Sequence, residues 1–255
     1  WPVVASYQWA GQDSVVVCDL SLLKDTVDLP FSFFLKDFQI IKLDNRDEAM
    51  VGENNLCVSE NYILVYGSVY ELHPCRLFTK KGEFVTNIGA IGQGPGEYRA
   101  VYKAEIDEKH NCIYLMPFAN SNAIYVYDLA GKPLRSIPLH QSVSKAVFKV
   151  DADKRELTVG ALPFTGYPFV AWVQDFEGHL LDSVPAARHL SVLPDYSNEV
   201  MYGANTEVFD FYISTFFELR PDTLYHYIRS GSRLKPRFTL NIGDRKRSIT
   251  TFYEL

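Results

Sequence analysis

The stretch Val126-Tyr127-Asp128-Leu129-Ala130-Gly131-Lys132-Pro133-Leu134 reads as a strand, a tight polar turn and a second strand. Glycine suits such a turn because it takes positive φ without steric cost. Two more stretches align with it on that glycine, Leu77-Phe78-Thr79-Lys80-Lys81-Gly82-Glu83-Phe84-Val85 and Val173-Gln174-Asp175-Phe176-Glu177-Gly178-His179-Leu180-Leu181. The three glycines recur at a spacing of about 50 residues, the span of one propeller blade. A looser fourth copy runs from Leu224 to Leu240, with Gly231 at its turn.

Upstream of each copy lies another hairpin. Leu56-Cys57-Val58 and Tyr62 to Tyr66 flank a turn at Ser59-Glu60-Asn61; Ala104 to Ile106 and Cys112 to Leu115 flank Asp107 to Asn111; Ala146 to Val150 and Leu157 to Val159 flank Asp151 to Glu156. Val208-Phe209 and Phe211 to Ile213 form the weakest case. Two hairpins per period give four strands per period, and a four-stranded antiparallel sheet repeated radially is a propeller blade. No long 3.6-residue periodicity supports an α/β alternative. The fold class is therefore all-β, a β-propeller of four-stranded antiparallel blades. Residues 1–34 read as an N-terminal extension and 35–255 as the propeller, with blades near 53–97, 98–141, 142–187 and 204–243.

Composition agrees. Sixteen Tyr and seventeen Phe against three Met fit pleated sheets, on which flat rings pack well. The net charge of −6 comes from intermixed acids and bases. The only basic run is Arg245-Lys246-Arg247, in an expected turn, so no nucleic-acid partner is expected. No apolar run approaches the roughly 20 residues of a membrane span. Trp1 is not an initiator Met, so the numbering reads as starting inside a processed or trimmed chain that has lost any targeting segment. Cys18, Cys57, Cys75 and Cys112 lack metal-ligand spacing. Cys57 and Cys112 read as small hydrophobes, while a Cys57–Cys75 disulfide and the redox compartment stay open.

The region Ile88 to Leu139 resembles an NHL repeat. It carries Gly89-Ala90-Ile91-Gly92-Gln93-Gly94-Pro95-Gly96-Glu97-Tyr98, then Ile113-Tyr114-Leu115, Ile124-Tyr125-Val126-Tyr127-Asp128 and Gly131. With the stretch Leu35 to Gly52, it is similar to a narrower group of six-bladed, TolB-like or NHL-like propellers of gut anaerobes, often lipoproteins. That resemblance implies six blades, an extracytoplasmic location and a lipid anchor upstream of Trp1. Four blades are visible, plus a strand at Phe38 to Leu43 that would close the ring by pairing with the last blade. A ring of four or five blades is the alternative. The third and fourth copies lack the glycine-rich link.

No catalytic residue, metal ligand or cofactor site is assigned. Gly92 to Gly96 lacks the following helix that a phosphate loop needs. Asp151 to Glu156 lacks the glycine and spaced glutamate of a calcium loop. The six histidines form no assignable ligand set. The candidate ligand site is the face formed by the blade-to-blade links and the long loops between second and third strands, because function concentrates on such loops. Its residues are Tyr70, His73, Tyr98, Arg99, Asn120, Asn122, Phe164, Tyr167 and Arg220, with Phe118 and Phe217 beside them. Aromatic rings, amides and arginines together suit a glycan, a peptide or a partner protein. A non-enzymatic binding or scaffolding propeller is the expected function. A metal-dependent lactonase- or lyase-like propeller is the alternative.

Overall fold

The computed structural model describes residues 4–24, 28, 30–52, 55–67, 73–187, 190–202, 209–215 and 222–241. Among these, regular structure is strand, with short 3-10 turns and no α-helix. The chain divides into two compact units, one of residues 39–157 and 174–181, the other of residues 1–38, 158–173 and 182–255.

Strands β1 (Ala5–Ala10) and β2 (Asp13–Asp19) form an N-terminal hairpin. Strands β3 (Asn55–Val58), β4 (Tyr62–Tyr66), β5 (Cys75–Thr79) and β6 (Phe84–Ile88) make the first four-stranded meander. A short parallel pair, β7 (Ala90–Ile91) and β8 (Glu97–Tyr98), ties the glycine-rich link to itself. The second meander is β9 (Val101–Asp107), β10 (Cys112–Pro117), β11 (Ser121–Tyr127) and β12 (Ile137–Val143). The third is β13 (Ala146–Asp151), β14 (Glu156–Ala161), β15 (Phe169–Asp175) and β16 (Leu180–Pro185). Strands β17 (Glu199–Tyr202), β18 (Asp210–Ser214), β19 (Asp222–Ile228) and β20 (Arg233–Asn241) make the fourth. All pairings inside the first, second and fourth meanders are antiparallel.

Inner and outer strands differ as their surroundings require. Strands β4 and β10 are apolar on both faces and buried along almost their whole length, whereas β6 and β12 alternate buried and exposed residues. A strand covered on both faces reads as a continuous apolar run, and one with a wet face alternates. Leu64, Leu77 and Ile88 of the first meander pack with Ala104, Ile113, Leu115 and Tyr127 of the second in one core. All four cysteines are free, so Cys57 and Cys75 are not bonded to each other. Cys75 is buried, which pushes its thiol up to about 12.

The aligned hairpins share one turn chemistry. In each, the residue three before the glycine accepts the glycine's N–H on its backbone carbonyl: Thr79 for Gly82, Asp128 for Gly131 and Asp175 for Gly178. Its side-chain oxygen takes two more N–H groups. Asp128 Oδ1 accepts from Ala130 and Lys132 at 3.0 and 2.9 Å, and Asp175 Oδ1 from Glu177 and His179 at 2.9 and 2.8 Å. Thr79 Oγ1 does the same for Lys81 and Glu83. Short polar side chains stabilise turns by this local bonding.

Three sequence expectations need correction. Phe38 to Leu43, expected as a strand, pairs in no ladder among the described residues, the fourth meander included. There β20 takes β2 in parallel, from Val16 opposite Phe238 to Asp19 opposite Asn241, with Arg233 bonded to Asp13. The hairpin responsible lies at residues 5–19, inside the expected extension, because Val15, Val16 and Val17 supply an apolar strand there. In the fourth meander the left-handed residue is Ser232, at φ 46°, and Gly231 sits in a 3-10 turn before it.

Residues 39–44 still stand in an outer-strand place. A Cβ on Gly131 would meet the carbonyl oxygen of Asn87, in β6, at 2.3 Å; one on Gly178 would meet that of Pro138, in β12, at 3.3 Å. A Cβ on Gly82 would meet the Lys42 carbonyl oxygen at 2.0 Å. Lys42 thus bears on the first meander as Asn87 bears on the second and Pro138 on the third. Ile41 and Leu43 point inward, packed with Ile63, Val65 and Phe78, and the alternate Ile40 stays exposed.

Candidate functional site: a loop cluster on the second meander

Three chain segments meet at one end of the second meander. Phe118 N–H donates to the Ala100 carbonyl at 3.0 Å, and Ala119 N–H donates to the Ser144 carbonyl at 2.9 Å. The β10–β11 loop is thereby bonded to the link before β9 and to the link before β13. To make both bonds, Ala119 and Asn120 adopt left-handed conformations at φ 62° and 52°. Each such residue without glycine's freedom costs about 1 kcal/mol or more, and strain of this kind gathers at functional sites.

Lys145, 3% exposed, sits beneath this loop. Its Nζ lies 5.6 Å from the ring centroid of Tyr102 and 5.7 Å from that of Phe118. The rings are 6.3 Å apart and tilted by 32°. A cation over two ring faces is held by their quadrupoles, which fixes the rings as a partly buried platform. In the same chain segments Arg99, Asn120 and Asn122 are exposed, and none makes a side-chain hydrogen bond or ion pair among the described residues.

The other candidates fall elsewhere. Tyr98 is a core residue, 3% exposed. Its hydroxyl accepts from Cys75 N–H at 2.7 Å and donates to the Ile88 carbonyl. Burial raises its phenol well above the usual range. Phe164 and Tyr167 belong to the other compact unit. Phe164 is buried against Tyr167 and Tyr196, at ring distances of 5.9 and 5.7 Å. That loop is fastened by Thr165 N–H to the Val192 carbonyl and by Val192 N–H to the Pro163 carbonyl, both 3.0 Å. His73 is exposed in the β4–β5 loop. Tyr70, Phe217 and Arg220 lie outside the described residues. Sequence reading missed Tyr102 and Lys145. Their one signal was position, Tyr102 at the start of β9 and Lys145 just before β13, next to the two links that the Phe118 loop is bonded to.

The opposite ends of the same strands form a cleft of about 490 Å³ with Glu105 on its wall. Glu105 Oε2 accepts Val150 N–H at 3.1 Å, and burial pushes its carboxyl up to about 7 despite Lys103 and Lys149 nearby. Much of the rim is already paired: Lys109 with Asp153 at 2.6 Å, His110 with Asp107 at 2.7 Å, Glu108 with Asn61 at 2.7 and 2.8 Å. Among the described residues no group of three His, Cys, Asp or Glu is placed to hold a metal ion. Nor is any helix among them long and apolar enough to cross a membrane.

Four-stranded antiparallel meanders in series define an all-β class built from blade-like sheets. The chain belongs to the family described as a domain of unknown function, DUF4934, whose profile matches residues 15–254. Its fold is similar to the crystal structure of a candidate exported protein of Bacteroides fragilis, with TM-score 0.57 and 19% identity over 81% of this chain. The chain spans 56% of the length of that structure. Looser similarity reaches the WD40 β-propeller domain of Doa1, at TM-score 0.44 and 12% identity over 71% of this chain and 51% of that one. It also reaches the WD40 repeats of RRP9, at TM-score 0.39 and 11% identity over 71% and 63%. No curated protein sequence matches the chain.

Proposed function

We propose that this chain is the ligand-binding part of an exported β-propeller, engaging a glycan, peptide or partner protein through the loop end of its meanders. The observation that carries this reading is the Phe118 loop. Two adjacent residues are held in left-handed backbone, a buried lysine fixes the ring platform, and three exposed polar side chains of the same segments have no partner within the described residues. Backbone strain costs stability, and a site that binds a ligand recovers the cost, while the exposed amides and guanidinium stay available to a ligand. Phe164 and Tyr167 offer a second aromatic loop of the same kind in the other unit.

A six-bladed, NHL-like ring with an extracytoplasmic location and a lipid anchor belongs to the same proposal. The further blades are supported by the repeat pattern and by residues 39–44, which hold an outer-strand place with no ladder partner among the described residues. Strands of a further blade would cover Phe38 and Ile40.

Binding screens against glycan and peptide arrays test the site, with Phe118→Ala, Asn120→Ala and Tyr167→Ala beside the parent. The expected result is a ligand whose affinity falls by about tenfold or more in at least one variant, the scale of losing one well-made contact. Equal binding by parent and all three variants would remove the loop face from consideration.

A further inference from the structure

We infer that the ligand of the Phe118 loop is an acidic glycan, a sugar bearing carboxylate or sulfate; this rests on the loop face being the binding site. The charge pattern is the first argument. The converging segments, residues 98–102, 117–123 and 141–146, carry Arg99 and Lys145 and not one Asp or Glu, in a chain whose net charge is −6. The nearest carboxylate in sequence, Glu97, is turned into its own loop, where it accepts Gly94 N–H at 2.8 Å. Arg99 is therefore exposed without a counter-ion among the described residues, and a guanidinium fork matches a carboxylate or sulfate with two parallel hydrogen bonds.

The choice of a sugar over a peptide comes from which donors are spent. A peptide bound through its main chain needs free backbone N–H and C=O groups on the receptor. Here the N–H groups of Phe118 and Ala119 and the carbonyls of Ala100 and Ser144 are bonded to one another. What remains free are the side-chain amides of Asn120 and Asn122, each with donors and acceptors for hydroxyl groups. The same segments carry the Tyr102 and Phe118 rings, tilted by only 32°, on which the C–H face of a sugar ring can lie. Lys145 beneath the rings adds positive potential without reaching solvent.

Affinity electrophoresis and calorimetry with polygalacturonate, dextran sulfate, neutral galactan and polyglutamate decide the matter. Retardation by at least one acidic polysaccharide, and none by galactan, is the expected result. Arg99→Ala should weaken that binding by about tenfold or more, as loss of a charge-assisted pair does. Arg99→Lys should restore only part of it, since a lysine cannot form the fork. Lys81→Ala, an exposed cation in the β5–β6 turn, should change nothing. Galactan bound as tightly as the acidic polymers, with Arg99→Ala silent, overturns the anionic ligand while leaving the loop face as a binding site. Polyglutamate bound more tightly than either acidic polysaccharide overturns the glycan. Failure of every probe here, together with silence of Phe118→Ala in the array screen, removes the loop face itself.

Discussion

The hydroxyl of Tyr98 stands between the last paired residues of β5 and β6, bonded to the N–H of Cys75 and the carbonyl of Ile88. One phenol thus completes the end of a ladder in the preceding meander. Tyr98→Phe keeps the ring's edge-to-face contact with Tyr127 but leaves a buried donor and acceptor unpaired. The expected cost is about 2 kcal/mol, read by urea denaturation at unchanged m-value. Nothing in the sequence announced this role. A tyrosine in an irregular link has no periodicity to say whether it faces solvent or core, so its neighbour Arg99 and it read alike. Glu105 poses a different question at the same scale. Folding lifts its pKa from the ordinary 4.5 to about 7 through burial, so ionising it costs stability in the folded state. Its destabilising effect is absent below about pH 4.5, grows through the interval and is complete above about pH 7. Glu105→Gln, which keeps an acceptor for Val150 N–H, should stabilise by on the order of 3 kcal/mol near pH 8 and by little near pH 4.5. Equal gains at both pH values would show that packing, not charge, is the cause.

At the scale of elements, the hairpins were the legible part. Gly82, Gly131 and Gly178 mark three turns that the structure builds with one hydrogen-bond pattern. The glycines also show what alignment alone leaves out. Gly131 needs both its φ of +83° and the space against the Asn87 carbonyl, whereas Gly178, at φ +89°, has its nearest neighbour at 3.3 Å. Gly131→Ala should therefore cost more, roughly 3 kcal/mol or above, because backbone must move as well as twist. Gly178→Ala should cost about 1 kcal/mol, the price of the left-handed conformation alone. Thermal unfolding of both variants checks the order, and equal losses would show that Asn87 gives way freely. The Thr79, Asp128 and Asp175 acceptors were also readable, three residues before each glycine, but a glycine-centred alignment passes over them. The Phe118 loop was located by its place between second and third strands. Its platform was not, since Tyr102 comes from the start of β9 and Lys145 from the link before β13, and they meet only in the tertiary fold.

On the scale of the whole molecule, the repeat count was readable and the treatment of the ends was not. Periodicity describes what recurs, and the strands at residues 5–19 recur nowhere. They answer a local need of the fourth meander. Without them β20 would present an unpaired row of N–H and C=O groups, and such an edge recruits other strands. The hairpin covers it through four parallel pairs and the bonding of Arg233 to Asp13, although β1 then becomes the exposed edge, carrying Tyr7 and Trp9 at 80% and 81% exposure. Removing residues 1–19 should therefore do two things. The melting temperature should fall by roughly 5 °C or more, since domains of this size lose about 2–4 °C per kcal/mol. The uncovered β20 should also drive association, seen as species larger than the parent in light scattering after size exclusion. Substituting Asp13→Asn in the full chain should lower the melting temperature without association, because the hairpin stays in place and only its ion pair is weakened. If the truncated chain instead melts like the parent and elutes at the same size per residue, the parallel pairing contributes nothing to the fold, and the β20 edge is protected by some other means.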